Sequence, residues 1–152
     1  MKAVIQRVFA ASVVADGKPA GKGEQGLLVL LGVVKGDTEN EATLLAEKIA
    51  KLRIFCDDDG KMNRSVCDIG GSIVAVSNFT LGADVKKGTR PSFDNAMPPA
   101  EANRLYELFV SHLKALGIPT ETGVFGAKMV IDMQCDGPVT IVMDTDIWRK
   151  QA

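Results

Sequence analysis

Along the chain the apolar positions change period several times, and each change predicts an element. Residues 2–9 and 11–15 are short segments of alternating or β-branched apolar residues, the pattern of strands. Asp16-Gly17-Lys18-Pro19 has turn chemistry and predicts a hairpin after them. Leu27 to Val34 is a continuous apolar run, which predicts a strand covered on both faces. The period then becomes helical. Ala42, Leu45, Ala46, Ile49 and Leu52 fall on one stripe, and Thr38 with Glu41 forms a capping box at its start. Arg53-Ile54-Phe55-Cys56 reads as extended, ahead of the polar tip Asp57-Asp58-Asp59-Gly60, and Ser72 to Val76 predicts another buried strand. A second helix is predicted from Pro98-Pro99, with Ala102, Leu105, Tyr106, Phe109, Leu113 and Leu116 on one stripe and a stop at Gly117. Two last strands, about 128–135 and 139–144, are separated by Asp136-Gly137-Pro138. Strands cluster rather than alternate with helices, so the layout is α+β, with both helices on one side of the sheet.

Composition narrows the picture without deciding it. A chain of 152 residues, 46% hydrophobic and 24% charged, fits one soluble domain spanning 1–152. No apolar run approaches the roughly 20 residues that cross a bilayer. The stretch from Met1 to Arg7 is interrupted by polar groups, so it reads as a first strand and not a leader; no membrane partner is expected. Cys56, Cys67 and Cys135 contain no Cys-x-x-Cys pair, which argues against a disulfide framework or a zinc site and suits a reducing cytoplasm. They read as small buried hydrophobes. The net charge of −1 gives no sign of an extended nucleic-acid surface, since phosphate contacts normally demand a basic face. The local basic cluster is Lys86-Lys87-Gly88-Thr89-Arg90.

Several motifs invite a function and fail on context. Gly21-x-Gly23-x-x-Gly26 matches the dinucleotide fingerprint, but that mechanism needs a helix N-terminus next, and the following run is a strand. A hairpin turn is the better reading. Asp57-Asp58-Asp59-Gly60 has the wrong spacing for a calcium loop. His112 is the only histidine and sits near the end of the second helix, where a boundary role is commoner than a catalytic one. A hydrolase built on this chain would therefore work without a conventional side-chain base.

The remaining segments carry the chemistry. Ser77-Asn78-Phe79-Thr80-Leu81 places hydroxyls on both sides of an aromatic where a buried strand ends, a common place for a site; a plain strand terminus with local hydrogen bonds is the competing reading. Asp136-Gly137-Pro138-Val139-Thr140 is either a tight turn or a cis Gly-Pro element. Together they resemble the signatures of the D-aminoacyl-tRNA deacylase family, usually Ser-Gln-Phe-Thr-Leu and Asn-x-Gly-Pro-Val-Thr. Further matches follow in order: Ile5-Gln6-Arg7-Val8, Gly26 to Val33, Lys61-Met62-Asn63, Arg90-Pro91-Ser92-Phe93, and Thr122-Gly123-x-Phe125-x-Ala127-x-Met129. Residues 145–152 fall outside the likeness. Asn78 replaces the family's usual glutamine and Cys135 its usual asparagine.

The resemblance implies a barrel-like arrangement of mostly antiparallel and mixed sheets, two helices packed on one side, and a homodimer. It implies hydrolysis of the ester of D-aminoacyl-tRNA, with tRNA as partner, no DNA, and no cofactor or metal. Gly137 and Pro138 would be cis and reach into the other subunit's pocket, where their carbonyls meet the substrate's α-ammonium and reject an L side chain. Glycyl-tRNA would pass, and any side chain at Gly137 would clash across the subunit boundary. Phe79, Phe125 and Met129 would surround the terminal adenosine, with Asn78 and Arg7 among the substrate-binding residues. Ser77 and Thr80 would lie at the ester, N–H groups near Phe79 and Thr80 would hold the oxyanion, and the ribose 2′-hydroxyl would help activate water. Two other classes stay open: a non-catalytic nucleic-acid-binding relative, and a small-molecule esterase using Ser77 or Cys135.

Overall fold

The computed structural model describes residues 1–149. Of the tail beyond the family likeness, Thr145–Trp148 forms a 3₁₀ turn, and residues 150–152 lie outside the described part. The strands in chain order are β1 (Lys2–Ala15), β2 (Lys18–Gly23), β3 (Gly26–Gly32), β4 (Phe55–Cys56), β5 (Met62–Arg64), β6 (Ser72–Ser77), β7 (Thr120–Thr122) and β8 (Met129–Asp144). The helices are α1 (Glu39–Lys51) and α2 (Pro99–Ala115). The fold is α+β, as the pattern predicts. The main sheet runs β2-β1-β3-β6-β7, with β8 along the other edge of β1; β3, β6 and β7 are parallel and the rest antiparallel.

Two predicted breaks are irregularities inside long strands. Residues 2–9 and 11–15 form one strand, β1, whose pairing with β8 slips between Val8 and Ala10. An extra residue there reverses which side chains face inward. Before it Ala3 and Ile5 join the core beneath the helices and Val8 a second core on the other face of β3 and β6; after it Ala11 and Val13 join Val8 in that second core. β3 feeds both cores, Leu27, Val29 and Leu31 into one and Leu28 into the other, which is why it reads as an unbroken apolar run. Likewise β8 is one strand across Met129–Asp144, and Asp136-Gly137-Pro138 does not end it: four residues, 136–139, bow out between the pairs Val8↔Cys135 and Gln6↔Thr140.

The glycine fingerprint serves the sheet. Gly21 and Gly23 lie in β2 and Gly26 opens β3. A Cβ at Gly21 would stand 2.3 Å from the Thr122 carbonyl oxygen, and one at Gly26 only 1.8 Å from that of Ser72. Gly21 lets β2 approach β7 and close the sheet toward a barrel, and Gly26 lets β3 lie close against β6. On the opposite side, α1 starts with the predicted box: the Thr38 N–H and hydroxyl both donate to Glu41, and the Thr38 hydroxyl accepts from the Asn40 N–H. The cysteines depart from expectation. Cys56, Cys67 and Cys135 are all free and exposed, because each sits on a hairpin, a turn or the sheet edge and not on a core-facing position.

Candidate active site

β6 pairs with β3 as far as Ser77, and the Asn78 N–H still donates to the Leu31 carbonyl at 2.7 Å. There the chain turns. Phe79–Gly82 is a 3₁₀ turn capped by Asn78, whose side-chain oxygen accepts from the Thr80 N–H at 3.2 Å and also from the Thr80 hydroxyl. This cap fixes the order of groups at the strand end. Thr80 has both its donors committed, whereas no group among the described residues accepts from the Phe79 N–H. Phe79 is left 58% exposed, an unusual position for so large an apolar ring, and meets the edge of Phe93 at 5.2 Å between ring centres.

Ser77, Asn78 and Phe79 line one side of a cavity of about 740 Å³; Leu30, Phe93, Met97, Phe125 and Met129 are among its other walls. Apolar walls with a few polar groups at one end suit a small-molecule or nucleotide site. A larger open groove, about 890 Å³, runs between Ala10–Ser12, Lys22–Gln25, Ile69–Ser72 and Asp132–Gln134, with no aromatic wall. The smaller cavity has no ionisable side chain among its lining residues. His112 is not near: its Nε2 lies 3.3 Å from Glu47 where α1 and α2 pack together. Among the described residues no group of His, Cys, Asp and Glu could hold a metal ion. Phe125 also rests near Tyr106, with ring centres 6.3 Å apart, and the buried Tyr106 hydroxyl donates to the Ala75 carbonyl at 2.6 Å. Burial, with help from Glu107, pushes the Tyr106 phenol up to about 12.

Arg7 lies elsewhere. It is a buried side chain opposite the bow in β8, and it does not line the cavity of its own chain. Its Nη1–H donates to the Ile54 carbonyl at 2.7 Å, Nε–H to the Asp136 carbonyl at 3.3 Å, and Nε stands 3.2 Å from the Asp136 carboxylate. Arg7 thus clamps the base of the element that presents Gly137 and Pro138, both exposed and joined by a cis peptide. At Gly137 φ is +137°, and a Cβ would come within 2.5 Å of the Val139 nitrogen, so a side chain there is resisted within its own chain.

A family model described as D-Tyr-tRNA(Tyr) deacylase matches residues 4–144. The D-aminoacyl-tRNA deacylase of Geobacter sulfurreducens is 58% identical over 145 residues, 95% of each chain. The chain belongs to the D-aminoacyl-tRNA deacylase family. Members of the family are hydrolases acting on ester bonds. The Roseiflexus castenholzii deacylase is 55% identical over 150 residues, 99% of this chain and 96% of its own. Among solved structures, the c-Myc DNA Unwinding Element Binding Protein superposes with a TM-score of 0.89 at 41% identity, covering 95% of this chain and 98% of its own. A probable eukaryotic D-amino acid tRNA deacylase superposes at 0.80 with 15% identity, covering 93% and 97%, a likeness of fold.

In family terms, the structure gathers Ser77, Asn78, Phe79, Phe125 and Met129 around one cavity, with Thr80 just behind its wall, and sets Arg7, Gly137 and Pro138 apart from it. Sequence reasoning missed Phe93 as the second aromatic of the mouth and Asp136 as the partner of Arg7. The first had a signal, a phenylalanine inside the matched Arg-Pro-Ser-Phe segment. The walls Leu30 and Met97 had none, being apolar residues like any other.

Proposed function

We propose that this chain hydrolyses the ester linking a D-amino acid, or glycine, to the 3′ end of tRNA, releasing the free amino acid and tRNA in the cytoplasm. The observation that supports this best is the uncharged cavity whose polar end is a strand terminus with the Phe79 N–H left open. The terminal adenosine lies against Phe79, Phe125 and Met129, where stacking on an aromatic face is worth roughly 1–3 kcal/mol. The ester then falls beside Ser77 and Asn78. Water adds to its carbonyl carbon, the Phe79 N–H donates a hydrogen bond to the developing oxyanion, and the bond to the ribose oxygen breaks as that oxygen takes up a proton. One such donor contributes about 10²–10³ in rate. With no ionisable side chain lining the cavity, the ribose 2′-hydroxyl of the substrate relays the proton.

Chirality is read by a second copy of the chain. Val76, Leu30, Val4 and Val142 are paired in register across β6, β3, β1 and β8, so they form one row on one face of the sheet. The row starts in the cavity, at Val76 and Leu30, and ends at Val142, which is 74% exposed. A partner packed on this face brings its own Gly137 and Pro138 over the cavity, where two carbonyls meet the α-ammonium and occupy the place of an L side chain. Matched D-, L- and glycyl-tRNA hydrolysis tests the reading: D- and glycyl-esters turn over and L-esters do not. Equal turnover of the two enantiomers refutes it. The 41% identical structural neighbour, a DNA unwinding element binding protein, favours a second reading, nucleic-acid binding without catalysis; binding of D-aminoacyl-tRNA with no cleavage would establish that instead.

A further inference from the structure

The lining of the cavity supplies no cation, yet the substrate proposed above is a polyanion whose phosphates carry most of its non-specific affinity. The charge has to be met at the rim. Beside the cavity mouth, Asp84 and Ser92 exchange backbone hydrogen bonds of 2.8 and 2.9 Å and close the loop 85–91 at its neck. Ser92 is followed directly by Phe93, the ring that walls the cavity against Phe79. The loop carries Lys86, Lys87 and Arg90 around the bend at Gly88, whose φ is +64°. All three are exposed, and none pairs with a carboxylate among the described residues. The nearest acid in sequence, Asp84, has its carboxylate turned to the Lys86 N–H at 2.9 Å, and it sits with Asp94 at the base of the loop, leaving the positive charge at the tip.

We infer that loop 85–91 is a phosphate clamp. Lys86, Lys87 and Arg90 grip the phosphodiesters just 5′ of the nucleotide seated in the cavity, and thereby distinguish a tRNA-linked ester from a small ester of the same amino acid. The inference rests on the proposed function and adds where the RNA strand leaves the site. Reach permits it. Arg90 is three residues from Phe93, at most about 10 Å along the chain. A long cationic side chain extends that distance, and screening cuts in only beyond about 8 Å at physiological salt. The clamp explains how a chain of net charge −1 holds tRNA: the positive charge is local, beside the site, and not spread over a face. Single lysines also adjoin the rim, Lys35 beside Asn95 and Lys128 between Ala127 and Met129, but they stand alone.

The test compares the full chain with the variant K86Q/K87Q/R90Q and with a control, K18Q/K22Q, that removes charge from β2, outside the loop. Substrates are D-aminoacyl-tRNA and the matching D-aminoacyl ester of adenosine, which has no phosphate. For three single-strand contacts, raising salt fourfold weakens binding about twentyfold. The loop variant is expected to lose that part of the salt dependence of KM on tRNA, at unchanged kcat, and to cleave the adenosine ester like wild type. The control keeps the wild-type salt dependence. An unchanged salt slope in the loop variant overturns the clamp, as does an equal flattening in the control, which would make the effect one of net charge. Failure of the wild-type protein to cleave either ester would instead overturn the proposed function.

Discussion

At the scale of single residues, the cap at Asn78 decides what Thr80 can do. Its hydroxyl and N–H both serve the Asn78 side chain, so Thr80 holds the turn and the free donor is one residue earlier, at Phe79. Thr80→Ala removes one hydrogen bond worth about 1 kcal/mol, and kcat is expected to fall by no more than about fivefold; a loss near 10³-fold would give the hydroxyl a chemical role. Asn78→Ala releases both donors of Thr80 and should cost about 1 kcal/mol of stability, read by denaturant unfolding, together with a larger loss of kcat. Tyr106 makes a different prediction. Its phenol titrates near 12 in the fold against an ordinary value of 10, because burial disfavours the phenolate. The neutral form therefore stabilises the folded state fully below pH 10, and that contribution, up to about 3 kcal/mol, is lost as pH rises from about 10 to 12. In Tyr106→Phe this alkaline slope should vanish from the pH dependence of unfolding, while a hydrogen bond to Ala75 worth about 1 kcal/mol is lost at every pH.

At the scale of elements, period was readable and irregularity was not. Both helices, the capping box at Thr38 and the doubly buried β3 follow directly from apolar spacing. The slip near Phe9 and the bow at 136–139 interrupt that spacing, so each made one strand look like two. In both places the break in period is real; only the end of the strand was not. The site divides the same way. The aromatic between two hydroxyls at the end of β6 was visible as a motif, whereas the walls supplied by Leu30 and Met97 depend on which elements meet in space. Arg7 shows the limit most plainly, since nothing local to it announces that Asp136, far along the chain, is its partner. The glycines of β2 were legible as a failed fingerprint, and their actual use is close approach. Gly21→Ala drives a methyl group into the Thr122 backbone, which cannot swing aside as a side chain would. Overpacking of this kind costs about 1–3 kcal/mol. The melting temperature should drop by roughly 3–10 °C, measured by thermal unfolding; an unchanged value would mean that β2 and β7 separate without cost.

At the scale of the whole molecule, one chain exposes both a cavity and the element proposed to complete it, on surfaces that do not meet. Gly137 and Pro138 stand out from β8, held at their base by Arg7, and the row from Val76 to Val142 leads from the cavity to an uncovered face. Phe9 and Met133, each about half exposed, add apolar surface on the same two strands, β1 and β8. The proposed two-fold dimer would resolve this, because each copy would then give one element and receive the other. The arrangement predicts complementation between two defective chains. Phe79→Ala damages the cavity and leaves the bow intact; a chain lacking Gly137 and Pro138 does the reverse. Each homodimer should be nearly inactive on D-aminoacyl-tRNA. Co-expressed in equal amounts, half of the dimers are mixed, and each mixed dimer has one sound cavity facing one sound bow, so activity should recover to about a quarter of wild type. Val142→Glu, which puts a charge in the packed face, should give a folded monomer by sedimentation and prevent that recovery. If the mixture stays as inactive as its parents while mixed dimers are shown to form, the bow acts within its own chain or not at all. Activity of the Val142→Glu monomer equal to wild type would say the same, since the site would then be complete in one copy.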